Sequence, residues 1–306
     1  MPAATDLIIG LDIGGTKVAG ALVKQTGELL HRRFASTLTS GLSDPALAVS
    51  TELVEGLLAQ AHSDGLVVAG IGIGLPEYVR PDGFVSSRLV LGWDSQPSEV
   101  FGKFAPTTVD SDVRCGARAE ACFGSARNVS SALYVTVGTG LSSTLIIGGH
   151  IFGGARGEAI AFGELPVARE IAPETELTLE EFASGRGIAN RYAIASGTAI
   201  AEALEVVQAE LVDPRAGHVI ASAARALGRA LAWAVGVLDP ELIVLGGGLG
   251  TSDGFWRREL NDEYRLAVSV RPDAPPLMAA AFGADAGIVG AALAHRDALD
   301  ADATVG

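Results

Sequence analysis

The sequence predicts an α/β protein built from two similar lobes, on three observations. A hairpin of glycines and a hydroxyl residue near the start recurs near the middle, which reads as an internal duplication. Apolar runs of strand length alternate with stretches of helical periodicity. The chain has 306 residues, enough for two lobes that each bury a core.

The opening stretch, Leu7 to Leu30, reads as strand, turn, strand, turn, strand. Leu7 to Ile13 is an apolar run, Gly14-Gly15 break it, and Val18 to Val23 resume it before the Gln25-Thr26-Gly27-Glu28 turn. The first turn suits a phosphate. Gly14 and Gly15 carry no Cβ to hold backbone N–H groups away from an anion, Thr16 adds a hydroxyl donor, and Lys17 brings a positive charge. Asp12, at the end of a buried strand, is placed to hold a magnesium ion directly or through water. Read without function, the same residues are an ordinary hairpin.

Pro45 to Ser63 has apolar residues at helical spacing, with Leu47, Val54, Leu57 and Leu58 on or near one stripe. Val67 to Leu75 is the next strand. Small residues at its carboxyl end leave room for a ligand, which makes Gly74 a candidate substrate contact. No G-x-G-x-x-G with a helix behind it follows, so a dinucleotide-binding fingerprint is excluded. After Gly92-Trp93, a strand at Thr107 to Val109 stops at Asp110, and Val113 to Phe123 reads as a helix with Asp112 at its N-cap or first turn. Asp112 is either a helix cap or a carboxylate kept ionised by the helix N-terminus and facing a cleft.

The second half repeats the first. Leu133 to Ile147 is strand, glycine-hydroxyl turn, strand, ending at Gly148-Gly149-His150. With a constant offset, Val137-Gly138-Thr139-Gly140 falls on Ile13-Gly14-Gly15-Thr16, and Thr136 falls on Asp12. Two such lobes can close on one nucleotide's phosphates from opposite sides. Gly153 to Leu165 is a loop carrying Glu158 and Glu164. Helical pattern follows from Leu179 to Tyr192, with a break around Gly197, then from Ala201 to Leu211 and from His218 to Val237. The apolar strand Leu242 to Leu245 runs into Gly246, Gly247 and Gly248, which suit a backbone lying flat against adenosine or simply a loop needing freedom in φ. Strand Pro276 to Ala281 and helix Ala286 to Ala298 finish the chain, the helix being long enough to pack back on the first lobe.

The net charge of −14 argues against a protein that holds nucleic acid. Cys115 and Cys122, the only cysteines, fall on one helix face, which favours a core role and a reducing, cytoplasmic compartment. No signal-peptide pattern is read at the start. No window is read as able to span a membrane, since Arg225 and Arg229 interrupt His218 to Leu238.

These blocks carry a family resemblance over nearly the whole chain. LDIGGTK, GIGLP, Gly92-Trp93, VDSDVRCGARAE, VGTG, LDPELIVLGGGL and FGADAGIVGAAL occur in the order and spacing of the ROK family of sugar kinases and repressors. The resemblance implies an actin-like ATPase (ribonuclease H-like) fold with the active site between two α/β lobes, ATP with Mg2+, a sugar or polyol substrate, and a homodimer. The lobes are expected at residues 1–112, completed by the helix 286–306, and 113–285. Repressor members carry a DNA-binding domain ahead of the first hairpin; here that hairpin starts by Leu7, so the kinase branch is expected. By the resemblance, Asp112 is the catalytic base and Asp12 organises magnesium. Gly14, Gly15, Thr16, Lys17, Gly138, Thr139 and Gly140 hold phosphates, and Gly246 to Gly248 border adenosine.

Departures from the family pattern lie on the sugar side. Ser111-Asp112 stands where glucose kinases of the family have Asn-Asp, and Ala161-Phe162-Gly163-Glu164 where they have Glu-x-Gly-His. An expected Asn before Gly92-Trp93 is Val90 or Leu89. Glu170 to Glu181 has neither Cys nor His, so the family's structural zinc is not expected. Glu180 matches a substrate-binding glutamate, and Ser111 and Glu164 occupy sugar-binding positions. A site that loses hydroxyl-reading groups loses discrimination by factors of up to about 10⁴. The expectation is therefore a kinase for an altered hexose, an amino sugar or a cyclitol, with a non-catalytic ATP- or sugar-binding regulator as the competing reading. Glu158 and Glu164 suit a cationic amino group or are merely solvated.

Overall fold

The computed structural model describes residues 7–38, 45–93, 95–198, 200 and 203–305; the first six residues and the expected helix start at Ala201 lie outside them. The chain forms two compact units. Unit 1 comprises Met1–Gly124, His150–Ala159 and Ala284–Gly306, and unit 2 comprises Ser125–Gly149 and Ile160–Gly283. The expected boundary after residue 112 falls at the start of a helix that belongs to unit 1.

Unit 1 begins with β1 (Leu7–Ile13), β2 (Lys17–Val23), β3 (Leu29–Ser36), α1 (Pro45–Ser63) and β4 (Val68–Leu75). It continues with α2 (Pro97–Phe101), β5 (Thr107–Ser111) and α3 (Asp112–Phe123). The chain then forms β6 (Ser131–Val137), β7 (Leu141–Ile147) and the short β8 (His150–Phe152). Helices α4 (Leu179–Ala183), α5 (Gly185–Ser196), α6 (Ala203–Ala209) and α7 (Pro214–Leu238) follow. Unit 2 closes with β9 (Leu242–Gly246), the single turn α8 (Gly247–Gly250), α9 (Phe255–Ala267) and β10 (Leu277–Ala279). Helix α10 (Ala286–Val305) returns to unit 1 and is longer than its sequence pattern indicated.

The two sheets have the same order, β3-β2-β1-β4-β5 and β8-β7-β6-β9-β10. In each, the first two strands form an antiparallel hairpin and the last two add in parallel on the side of the first strand. The duplication read from the sequence is thus a duplication of topology, with one correction. The offset holds up to the first glycine and then slips: Ile13 pairs with Val18 across the first hairpin, whereas Val137 pairs with Leu141 across the second. The second turn is the shorter by a residue.

Strand period sets the core of unit 1. Leu7, Ile9, Leu11 and Ile13 of β1 are buried with Leu53, Val54 and Leu57 of α1 on one face of the sheet. On the other face α10 lies almost against the backbone. A Cβ on Gly10 would fall 2.1 Å from the Ile288 carbonyl oxygen, and one on Gly72 would fall 1.9 Å from that of Ala291. Much of the glycine content therefore serves the approach of a helix to a sheet.

In unit 2, Leu133, Val135 and Val137 of β6 and Ile243 and Leu245 of β9 are buried with Leu227 and Leu231 of α7 and Trp256 and Leu260 of α9. Helix α7 also corrects the membrane reading. Its 25 residues are long and apolar enough to cross a membrane by length and composition, and just over half of the apolar window is buried within the protein. Ala216, Val219, Ile220, Ala223, Leu227 and Leu231 of this helix are core residues.

Candidate active site

In unit 1 the β1–β2 turn leaves donors unspent. The Gly14 N–H closes the turn on the Lys17 carbonyl at 2.8 Å, and Thr37 takes the carbonyls of Gly15 and Thr16 with its hydroxyl at 2.8 Å and its N–H at 3.0 Å. With those carbonyls tied back, the Gly15 and Thr16 N–H groups and the Thr16 hydroxyl make no hydrogen bond among the described residues. Lys17 is exposed, with Nζ 5.4 Å from the centre of the Phe34 ring.

Asp12 ends β1 half-buried, its carboxylate against Gly287 in the first turn of α10, where a Cβ would come within 2.6 Å of Oδ2. Burial, reinforced by the charge of Asp112 and opposed by Lys17, pushes the Asp12 carboxyl up to about 7. Asp112 is the first residue of α3, and its Oδ1 accepts the Val113 N–H at 2.6 Å. The N-terminus of a twelve-residue helix favours its negative charge. The carboxylates of Asp12 on β1 and Asp112 on α3 therefore stand close enough for the charge of Asp112 to act on Asp12. Such a pair suits a hard divalent cation bound by oxygen. Among the described residues no group of three or more His, Cys, Asp and Glu is arranged to hold a metal.

Asp110, two residues before Asp112, has the opposite fate. Its carboxylate takes Nε of Arg114, Nη1 of Arg118 at 3.0 Å and the Ser111 N–H at 2.8 Å, while Arg118 Nε reaches Asp297 of α10 at 2.9 Å. Arg114 also donates to the carbonyls of Gly157 at 2.7 Å and Val79 at 2.6 Å. This network fixes the end of β5 and the start of α3, which sets where Asp112 stands. Ser111 is buried between the two acids with its hydroxyl unpartnered among the described residues.

Sequence reasoning missed this network and a second one at Glu77. The Glu77 carboxylate is buried and accepts the N–H groups of Leu89 at 2.7 Å, Val90 at 2.6 Å and Leu91 at 2.7 Å, together with the Ser87 hydroxyl. It holds the 87–91 loop so that Val90 Cγ1 covers Gly15, 2.7 Å from where a Cβ would stand. Arginine four residues after Asp110 on a helix was a usable signal; nothing local to Glu77 marks a loop ten residues away.

Gly74 lies in β4, one residue before its end. It is buried, and a Cβ there would sit 3.1 Å from Cys115 Sγ, so on that side its small size serves the packing of β4 against α3. Glu158 is drawn 3.4 Å from Arg156, an exposed ion pair in keeping with a solvated loop.

In unit 2 the β6–β7 turn repeats the donor arrangement. The Gly138 N–H bonds the Gly140 carbonyl at 2.9 Å, and the N-terminus of α5 takes the carbonyls of Gly138 and Thr139 through the N–H groups of Gly185 at 2.8 Å and Arg186 at 3.1 Å. The Thr139 and Gly140 N–H groups and the Thr139 hydroxyl remain unspent among the described residues. Glu180, in the first turn of α4, accepts the Leu141 N–H at 3.3 Å and occupies the space beside Gly140. Burial raises its carboxyl above the usual range, the Leu141 N–H opposes this, and the charge of Glu164 adds to it. Glu164, Glu180 and the hairpin are thus together. Of the three consecutive glycines, Gly246 gives way to the Tyr134 ring and Gly247 has a φ of +78°, while Gly248 borders open space. Rather than a flat loop, Gly247 and Gly248 open the helical turn α8.

Two units with one sheet order, each opening on a hairpin with free backbone donors, define a duplicated α/β protein of the actin-like ATPase class. The chain belongs to the ROK family, whose model matches residues 8–298. It is 32% identical over 293 residues to the bifunctional enzyme NanE/NanK of Brucella melitensis, covering 93% of this chain and 53% of that protein. The chain therefore spans about half the length of that curated relative. Among solved structures it is similar to a ROK hexokinase from Thermus thermophilus, at 28% identity and a TM-score of 0.80 over 96% of this chain and 99% of that one. It is also similar to a ROK glucokinase from Streptomyces griseus in complex with glucose and AMPPNP, at 26% identity and a TM-score of 0.79 over 95% and 99% of the two chains.

Proposed function

We propose that this chain is a kinase that transfers the γ-phosphoryl group of ATP to a hydroxyl of a sugar or sugar-like polyol. The observation that carries the reading is the pairing of Asp12 and Asp112, one at a strand end and one at a helix N-terminus, in a family whose relatives include a glucokinase crystallised with glucose and AMPPNP. Asp112 accepts the proton of the attacking hydroxyl as its oxygen forms the new bond to phosphorus and the bond to the ADP oxygen breaks. Asp12, whose raised carboxyl lacks a hydrogen-bond partner among the described residues, would hold Mg2+ directly or through water. Bound magnesium supplies positive charge to the phosphate oxygens. In unit 1 the unspent N–H groups of Gly15 and Thr16 and the Thr16 hydroxyl would donate to phosphate oxygens; in unit 2, taken by itself, Thr139 and Gly140 offer a like set of donors, and Gly248 borders open space.

The acceptor is an altered hexose, an amino sugar or a cyclitol. The orphaned Ser111 hydroxyl beside Asp112 offers one short hydrogen-bonding group where glucose kinases of the family have an amide, and Glu164 and Glu180 form an acidic pair where the expected imidazole is missing. We place the protein in the cytoplasm as a homodimer, without structural zinc. The test is ADP release with magnesium-ATP across hexoses, amino sugars and cyclitols, beside the Asp112→Ala variant. Turnover with one acceptor that falls by about 10³-fold or more in the variant supports the kinase. Silence across the panel with AMPPNP still bound favours a regulator, and efficient glucose turnover overturns the altered acceptor.

A further inference from the structure

Unit 2 contains a cleft, open to solvent and with a volume of about 380 Å3, formed by residues 171–175 and helices α4, α5 and α7. None of its residues belongs to the machinery assigned above. One wall is apolar, made by Ile171, Ala172, Pro173 and the Phe182 ring. The opposite side is polar and centres on Arg191 of α5.

The state of Arg191 is unusual for a half-buried cation. Its guanidinium lies 3.5 Å from the centre of the Phe182 ring. Nη1 donates to the carbonyls of Phe182 at 3.0 Å and Val219 at 3.4 Å, and Nη2 donates to the Ser222 hydroxyl at 2.6 Å. All three acceptors are neutral. Burial lowers its pKa to about 10, with no negative group acting against the shift. A guanidinium carries five N–H donors, so the Nε–H and one Nη2–H are unspent among the described residues. Buried charges are ordinarily paired, and the fork of a guanidinium matches a carboxylate through two parallel hydrogen bonds. Thr175 and His218 add polar groups, and Glu174 is the one acid lining the cleft.

We propose that this cleft is a ligand site that takes a small carboxylate with an apolar body, the carboxylate on Arg191 and the body against Phe182 and the 171–173 wall. The volume lies within the range of about 300–1,000 Å3 usual for small-molecule sites. Carboxylate rather than phosphate is favoured because Glu174 stands on the same rim and penalises a second negative charge. The site does not depend on the kinase reading, since it uses no residue assigned to phosphoryl transfer.

Isothermal titration of the purified full chain tests it, with benzoate as probe, benzamide as its uncharged isostere and inorganic phosphate as the anion without an apolar body. Benzoate should bind saturably at one site, and Arg191→Lys, which keeps the charge but loses the fork, should weaken it by about tenfold or more. Because Arg191 also braces three neighbours, Glu174→Gln supplies a second reading at an exposed residue: it should tighten benzoate severalfold and leave benzamide unchanged. Equal binding of benzoate and benzamide, phosphate binding as tightly as benzoate, indifference to both substitutions in folded protein, or no saturable benzoate binding would each overturn the proposal.

Discussion

Asp12, Asp110 and Asp112 are three carboxylates within one unit, and their neighbours decide what each can do. Asp110 is held by two arginines and serves structure; Asp112 sits at a helix N-terminus; Asp12 is half-buried within reach of the charge of Asp112. The cost at Asp12 has a definite sign. Its carboxyl is raised from 3.8 to about 7 in the folded protein, so the folded state binds a proton more tightly than the unfolded chain. Stability is lost as pH rises through that window. In chelator and without nucleotide, Asp12→Asn should match the parent near pH 4 and exceed it by about 1–3 kcal/mol above pH 7, measured by urea denaturation, while losing activity. Parity at pH 8 would show that the buried acid is not strained. Asp12 and Asp112 were legible in the sequence because each ends or begins a regular element. The commitment of Asp110 to arginine was not, since Arg118 and Asp297 meet only once α10 has docked on α3.

The elements themselves were largely legible. Helix α1 runs over Pro45–Ser63 as its apolar spacing indicates, and β4 lies within the predicted run. Glycine was harder to read, because a glycine facing a ligand and one facing a helix look alike in sequence. Gly10, Gly72 and Gly74 prove to be contact surfaces for α10 and α3. Gly72→Ala should destabilise the protein by about 3 kcal/mol, because its methyl group has only helix backbone to push against. Gly248→Ala, with no atom within 4 Å, should stay within about 0.5 kcal/mol of the parent. Equal midpoints for the two variants in chemical denaturation would contradict this account of the sheet–helix contact. The one-residue slip in the second hairpin escaped the sequence reading because glycine-hydroxyl turns of different length share a composition; only the strand register distinguishes them.

At the scale of the whole molecule, the duplication into two similar units was foreseen from the recurring hairpins, and the family from the ordered blocks. The cleft around Arg191 was not, because its residues are scattered from 171 to 222 and share no motif. A ligand held by native hairpins binds only the folded chain and stabilises it by mass action. AMPPNP with magnesium at about a hundred times its Kd should therefore stabilise the parent by about 2.7 kcal/mol, and the Asp112→Ala variant by a similar amount. A Tm that does not move in the parent would count against nucleotide binding itself.

The closure of the first sheet by the last helix also bears on how the protein is made. Synthesis proceeds from the amino end, and domains ordinarily fold as they leave the ribosome. Here a nascent chain ending near Gly283 carries every residue of unit 2 but still lacks α10, whose Ile288 and Ala292 cover Ile8, Ala19, Ala21 and Val23. The amino-terminal unit is thus the later of the two to be completed. During that interval the glycine-lined face of β1 and β4 stands bare, a natural place for a chaperone to act.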